Sequence, residues 1–268
     1  MIILGYFATI LMGLVLGVIG GGGSILTVPI LVYLMGVAPE TATGYSLLIV
    51  GASAAFGAMR YFKAGMIDVK ASLLFAIPSI IAVYLSRAYL MPNIPDVILT
   101  APIEVTKNFA IMVLFALLML ASAGVMLKKA YSHKAVSSET HIPQSPRIGL
   151  IILEGAVVGV VTGILGAGGG FLIIPALVLL LGMPMKNAVG ASLFIIALKS
   201  LLGFIGDLNS GIELEVPLIP LMLVATFVGM AASAKVAGKL EGATLQKIFA
   251  FFTLIIAIFI ITKELFFS

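Results

Sequence analysis

Cysteine and tryptophan are both missing from this chain of 268 residues, and histidine occurs only at His133 and His141. Without thiols there are no disulfides, iron–sulfur clusters or thiolate zinc sites. Two histidines in one polar segment do not make a histidine-rich metal site, so no metal is expected. Charge is almost as scarce: Asp, Glu, Lys and Arg make up 10% of the residues, against 62% hydrophobic and a mean hydropathy of +1.26. A water-soluble core of this length does not hold so much apolar surface, which places the chain in a lipid bilayer. No basic run exceeds Lys128-Lys129. The net charge of +4 therefore reflects Lys and Arg near helix ends, and nucleic acid is not an expected partner.

Catalytic sets are also absent. No His is spaced to serve a Ser or Asp, there is no HExxH, and no Walker lysine follows a glycine-rich strand. The chain is expected to be neither an enzyme nor the holder of a cofactor. With no nucleotide-binding motif, any transport would be driven by ion or substrate gradients or by a partner. The first apolar stretch begins at Met1 with no basic residue before the glycine cluster, so it lacks the charged leader of a secretory signal and is expected to stay in the mature protein.

What is there is a series of apolar stretches. The first half holds Ile2 to Ile19, Ile25 to Gly36, Gly44 to Met59, Ala71 to Met91 and Phe109 to Leu127. The second holds Ile148 to Leu165, Phe171 to Gly182, Ala188 to Ile205, Leu214 to Ala234 and Leu245 to Ile261. Several approach the ~20 residues that cross ~30 Å of hydrocarbon, so an all-α, polytopic transmembrane fold is expected. Between them, residues 128–147 carry Lys128, Lys129, Lys134, Glu139, Pro143 and Pro146. This reads as a polar cytoplasmic linker joining a first transmembrane repeat, 1–127, to a second, 148–268.

The halves are copies. At a constant offset of 146, Gly13 to Gly65 matches Gly159 to Gly211 at 19 of 53 positions, ten of them glycine or proline. The repeat thus keeps a backbone shape as well as greasiness. The stretch after each glycine cluster is about 12 residues long, a rise of ~18 Å as helix, too short to cross alone. Pro29 and Pro175 fall inside these pieces and remove a helical hydrogen bond. A broken or re-entrant helix is expected in each half, buried in protein or lining a polar cavity.

Loop charge bears on orientation. In the first half Arg60, Lys63 and Lys70 with Asp68 follow the third stretch, while Asp96, Glu104 and Lys107 follow the fourth. The second half reverses this: Asp207, Glu213 and Glu215 follow the third, and Lys235, Lys239 and Lys247 with Glu241 follow the fourth. Basic loops favour the cytoplasm, so the two halves are expected to be inverted, with an odd number of crossings each. The alternative is four per half, eight in all, with parallel repeats.

Candidate binding residues follow from the repeat. Gly20, Gly21, Gly22 and Gly23 before Ser24, and Gly166, Gly168, Gly169 and Gly170, each precede a helix start whose free N–H groups and partial positive charge suit an oxyanion. Gly13 and Gly17 read instead as close-packing positions. A second matched pair, Gly44 with Ser46 and Gly190 with Ser192, offers a hydroxyl from each half to the same cavity, or a serine bonded back to its own helix. Lys199 and Glu154 stand inside apolar stretches, where Ser53 and Ala8 occupy the matching positions. Lys199 is the candidate partner of an anionic substrate, with snorkelling or a pair with Glu154 as alternatives. Glu154 is the candidate proton-coupling carboxylate. Arg60, Lys63 and Lys186 read as interface anchors.

The pattern GxxxGxxGGGGxxxxPxLxxxxG followed by a TGxSL-type segment, repeated after a polar loop, resembles the TauE/SafE sulfite exporter family. The resemblance covers essentially the whole chain, with Ala167 and Ala191 as departures in the second copy. It implies a multi-pass permease of the cell (inner) membrane that moves sulfite or related organosulfur anions, usually outward, with about eight spans. The expected function is secondary transport of a small sulfur oxyanion by alternating access, with the substrate and the lipid bilayer as partners. A gated anion channel or a non-transporting scaffold is the rival reading. A cation or metal permease would need more intramembrane carboxylates than Glu154.

Overall fold

A computed structural model describes residues 2–99, 105–131, 148–166, 168–179, 182–237 and 242–266. His133, His141, Ala167, Glu104, Lys239, Glu241 and most of the expected linker lie outside these residues. In the first half, α1 (Ile2–Ile19) runs into a 3-10 segment, Gly20–Leu26, a short α-turn, Thr27–Pro29, and a π segment, Ile30–Leu34. Then come α2 (Pro39–Lys63), α3 (Val69–Leu85) with its continuation Ser86–Leu90 and Met91–Asn93, and α4 (Lys107–Tyr131). The second half has α5 (Ile148–Leu165), α6 (Gly170–Leu179), α7 (Met185–Asn209), α8 (Leu218–Ala237) and α9 (Gly242–Phe266).

The offset of 146 carries α1 onto α5 and α2 onto α7 end for end. It also pairs the left-handed glycines Gly20 with Gly166, Gly36 with Gly182 and Gly65 with Gly211. Glycine adopts positive φ without steric cost, so these six positions turn the chain alike in both copies. Among the described residues, five helices are long and apolar enough to cross a membrane, including α1, α2 and α7, and three shorter apolar helices accompany them. The chain is a polytopic, mainly α-helical membrane protein. Beside the helices, which bear out the all-α expectation, stands a short antiparallel pair, exposed β1 (Val97–Leu99) against half-buried β2 (Val105–Thr106), with Val97 opposite Thr106.

Across the halves, each copy's first helix packs on the other copy's fourth. On α5, Gly155, Gly159 and Gly163 face Phe75 and Pro78, Ser79 and Ala82, and Val83 and Ser86 of α3 in turn, a parallel contact. On α1, Gly13 faces Thr226 and Gly17 faces Met230 and Ser233 of α8. These glycines admit the neighbouring backbone, as small-xxx-small positions do in lipid, where packing supplies the attraction. Helices α2 and α7 lie antiparallel: Gly44 near the start of α2 meets Asp207 near the end of α7, and Gly190 meets Tyr61 at the opposite end. The same offset exchanges these two contacts, since 44 maps to 190 and 61 to 207.

Candidate functional site

The two glycine clusters touch. A Cβ added at Gly21 or at Gly170 would overlap the other's backbone, so only glycine lets the two breaks approach this closely. The breaks differ in form. Gly20–Leu26 is wound as a 3-10 helix, and Ser24 Oγ donates to the Gly21 carbonyl at 2.5 Å, so the first copy has no clean new helix start. The second copy does: Gly168 and Gly169 have φ of +63° and +74°, and α6 starts at Gly170. The first N–H groups of a helix have no acceptor within it. The backbone amides of Leu172 and Ile173 already turn back to the Gly169 carbonyl, which leaves those of Gly170 and Phe171 at the open end.

Lys199 meets this end. It is 0% exposed, its Nζ donates to Thr162 Oγ1 at 2.7 Å, and a Cβ added at Gly169 would lie 2.6 Å from that Nζ. The ammonium therefore sits directly against the second glycine turn, beside the positive end of α6. It does not snorkel out, and it does not pair with Glu154, which stands half-buried on α5 with no side-chain hydrogen bond or ion pair among the described residues. Among the described residues the Thr162 hydroxyl is its side-chain partner, and no carboxylate pairs with it.

Ser192 flanks the glycine contact. Ser192 Oγ accepts from the Gly21 N–H at 3.4 Å and donates to the Val189 carbonyl at 2.9 Å, so it is bonded back to its own helix while touching the first glycine cluster. Ser46 is buried with no hydrogen-bond partner among the described residues. It stands one turn beyond Thr43, whose backbone packs on Gly166. Gly168 packs on Val50 and the Ser24 Cβ, whereas Gly23 packs on the backbone of Leu16 in its own half. Gly22 continues the 3-10 segment. Gly44 and Gly190 pack against Asp207 with Arg87 and against Tyr61, each next in the chain to a residue, Thr43 or Val189, that touches Gly166 or Gly20. Their small size serves helix contact there.

Sequence reasoning missed the largest charge feature. Arg87 lies inside the apolar stretch Ala71 to Met91, and its Nε donates to Asp207 Oδ1 at 2.6 Å, with side-chain exposures of 2% and 8%. Arg87 Nη1 also donates to Thr43 Oγ1 at 2.9 Å and to the Gly163 carbonyl at 3.2 Å. Asp207 is thus a buried partner in the last turn of α7 rather than a loop charge. The available signal was Arg87 itself, a single cation among apolar neighbours four residues from the end of that stretch. Lys107 is not a free loop charge either, since its Nζ donates to Glu40 Oε1 at 2.6 Å and to the Met91 carbonyl at 2.9 Å.

At the opposite end of α2, a cavity of about 450 Å³ is lined by Gly17, Gly57, Arg60, Tyr61, Lys63 and Ser233 among others. The two cations expected to anchor the interface therefore also border an opening. On α2, Thr43 beside the Arg87–Asp207 pair is 14 residues from Gly57 and 20 from Lys63 at the cavity, a rise of about 21 to 30 Å at ~1.5 Å per residue.

Comparison with known proteins agrees with this picture. Residues 5–260 match the family described as sulfite exporter TauE/SafE. A "probable membrane transporter protein" of Xylella fastidiosa is 31% identical over 185 residues, 68% of this chain and 65% of that protein, so the chain spans just under two thirds of that relative's length. The "probable membrane transporter protein YunE" of Bacillus subtilis is 30% identical over 75% of this chain and 78% of its own length. A similarly named protein of Haemophilus influenzae is 28% identical over 92% and 93% of the two chains. No solved structure matches.

Proposed function

The chain belongs to the sulfite exporter TauE/SafE family, and from that premise we propose that it is a multi-pass membrane transporter, not an enzyme, that carries a small sulfur-containing oxyanion by alternating access. The observation that carries this reading is the buried Lys199 ammonium against Gly169 at the start of α6. One cation, one helix terminus and the Ser46 hydroxyl, joined by Ser192 when its O–H turns from the Val189 carbonyl, give an oxyanion several donors without a surplus of fixed charge. A site with more cations would hold the anion too tightly to release it.

The two halves, 1–127 and 148–268, act as inverted repeats about this centre. Support comes from the antiparallel α2 and α7, from the exchanged contacts of Gly44 and Gly190, and from the reversed loop charges. Each half contributes a hairpin, α1 with the Gly20–Leu34 segment or α5 with α6, and three further helices. That parity supports inversion and disfavours parallel repeats with four crossings each. Glu154, away from Lys199 on α5, is retained as a proton-coupling candidate. Export is the direction the family description suggests.

Purified protein is screened for thermal stabilisation by sulfite, sulfate, thiosulfate, alkyl sulfonates and carboxylates, because a selective ligand raises stability by mass action. Stabilisation by the sulfur oxyanions is expected, and a response to carboxylates alone would remove the assignment. Saturable, counter-ion-coupled flux separates this reading from a gated channel, and no solute-dependent stabilisation at all would favour a scaffold.

A further inference from the structure

The two ends of the α2–α7 pair differ. At the Arg60 end, Gly17, Gly57, Met230 and Ser233 border the open cavity of about 450 Å³. Their counterparts at the other end are Gly163 and Gly203 by the offset of 146, and Val83 and Ser86 by an offset of 147 between α3 and α8. The first glycine is close-packed at both ends, a Cβ at Gly17 or Gly163 lying 2.7 Å from the Cβ of Ser233 or Ser86. The second differs: a Cβ at Gly203 would overlap Val83, whereas one at Gly57 would lie 3.1 Å from the Met230 Sδ.

Arg87 spans the Gly203 end. Its guanidinium reaches Asp207 on α7, Thr43 on α2 and the Gly163 carbonyl on α5, so one side chain from the α3 continuation fastens three helices. Tyr61 occupies the position equivalent to Asp207 and Ala234 that equivalent to Arg87, so the sequence provides this pair at one end alone. Beyond the pair lies a space of about 190 Å³ bordered by Glu40, Thr41 and Ser210 as well as Arg87 and Asp207. Asp207 Oδ2 has no hydrogen-bond partner among the described residues, so the carboxylate is held through Oδ1 by Arg87.

We propose that Arg87 and Asp207 form the gate at the end away from the Arg60 cavity: closed here while that cavity is open, and parted in the conformation that opens the other way. The inference rests on the transporter reading. The pair suits a two-state element. Buried charges separate favourably only when water enters with them, so the contact is either made dry or broken wet. The basic residues Arg60 and Lys63 mark the cavity end as cytoplasmic, which places the gate on the extracytoplasmic side.

The chain has no cysteine, so Ser46→Cys supplies a single thiol, three residues beyond Thr43 on α2 and buried in this conformation. Its labelling by a membrane-impermeant maleimide is measured from outside intact cells. Labelling is expected to be slow with native Asp207, at least about tenfold faster with Asp207→Asn because removing one partner of a buried pair biases the equilibrium by more than that factor, and near native with Asp207→Glu. Equal rates in all three would overturn the gate. Because no substrate is needed, the labelling rates test the gate even in a chain that moves none of the tested anions.

A second variant guards against misfolding. A Cβ at Gly206 would lie 3.0 Å from the Arg87 Cβ, so Arg87→Cys with Gly206→Cys can be bridged after a slight adjustment, and the bridge itself reports that both elements are in place. Sulfite flux into proteoliposomes is expected to vanish on oxidation and return on reduction. Undiminished flux through the bridged form would overturn the gate while leaving the transporter reading intact, whereas absence of flux from wild type and every variant would count against the transporter reading alone.

Discussion

At the scale of single residues, the costliest groups are the buried cations, and each is resolved differently. Arg87 has a carboxylate, a hydroxyl and a carbonyl around it, while Lys199 has the Thr162 hydroxyl and the glycine turn. Arg87 is thus compensated in this conformation, whereas Lys199 has no counter-charge among the described residues, and the proposed anion site rests on that difference. Lys199→Ala is therefore expected to leave thermal unfolding in detergent near the wild-type midpoint while lowering oxyanion flux in proteoliposomes at least about tenfold, the loss of one charge-assisted contact of ~1.5–3 kcal/mol. Unchanged flux would take the lysine out of the site. Lys199 was legible in the sequence because it interrupts a long apolar run. Arg87 interrupts one too, but nearer its end, where snorkelling satisfies a cation without special partners. Only the fold reveals that Asp207, 120 residues away, reaches it.

At the scale of elements, glycine divides into positions that admit a neighbour and positions that merely occur. On α1, a Cβ at Gly13 would run into the Thr226 carbonyl, whereas Gly124 on α4 has open space around it. Gly13→Ala is expected to cost ~1–3 kcal/mol, the usual range for overpacking a contact that cannot give. Gly124→Ala, measured by the same thermal unfolding, is expected to be neutral or stabilising by up to ~1 kcal/mol, the helical advantage of alanine. Equal effects would mean that the α1–α8 contact is looser than its geometry. Both breaks were legible as glycine clusters, but their forms were not. Ser24, which caps the Gly21 carbonyl, stands where the second copy has Gly170. That single hydroxyl accompanies a wound 3-10 segment in one half and a free helix start in the other.

At the scale of the whole molecule, the antiparallel α2 and α7 put the end of one beside the start of the other. Lys63→Cys and Ser210→Cys, each the only thiol in its variant, are accordingly expected to react with an impermeant maleimide from opposite sides: Lys63→Cys from the cytoplasm in inverted vesicles, Ser210→Cys from outside intact cells. Labelling of both from one side would exclude inversion. The interleaving also makes the halves interdependent. The first helix of each copy is buried against the fourth of the other, so neither half covers its glycine faces alone.

The sequence by itself determined the solvent, the duplication, the turning points and the family resemblance, since apolar run length, glycine placement and a repeated motif are local properties written in residue order. The tertiary structure alone decided which cations are compensated, that Gly44 and Gly190 pack against Asp207 with Arg87 and against Tyr61, and that a cavity lies at one end of the α2–α7 pair and a buried ion pair at the other. Those depend on contacts between residues far apart in the chain. In a bilayer, where a charge or a hydroxyl must find its partner within the protein, such contacts distinguish a binding site from a brace.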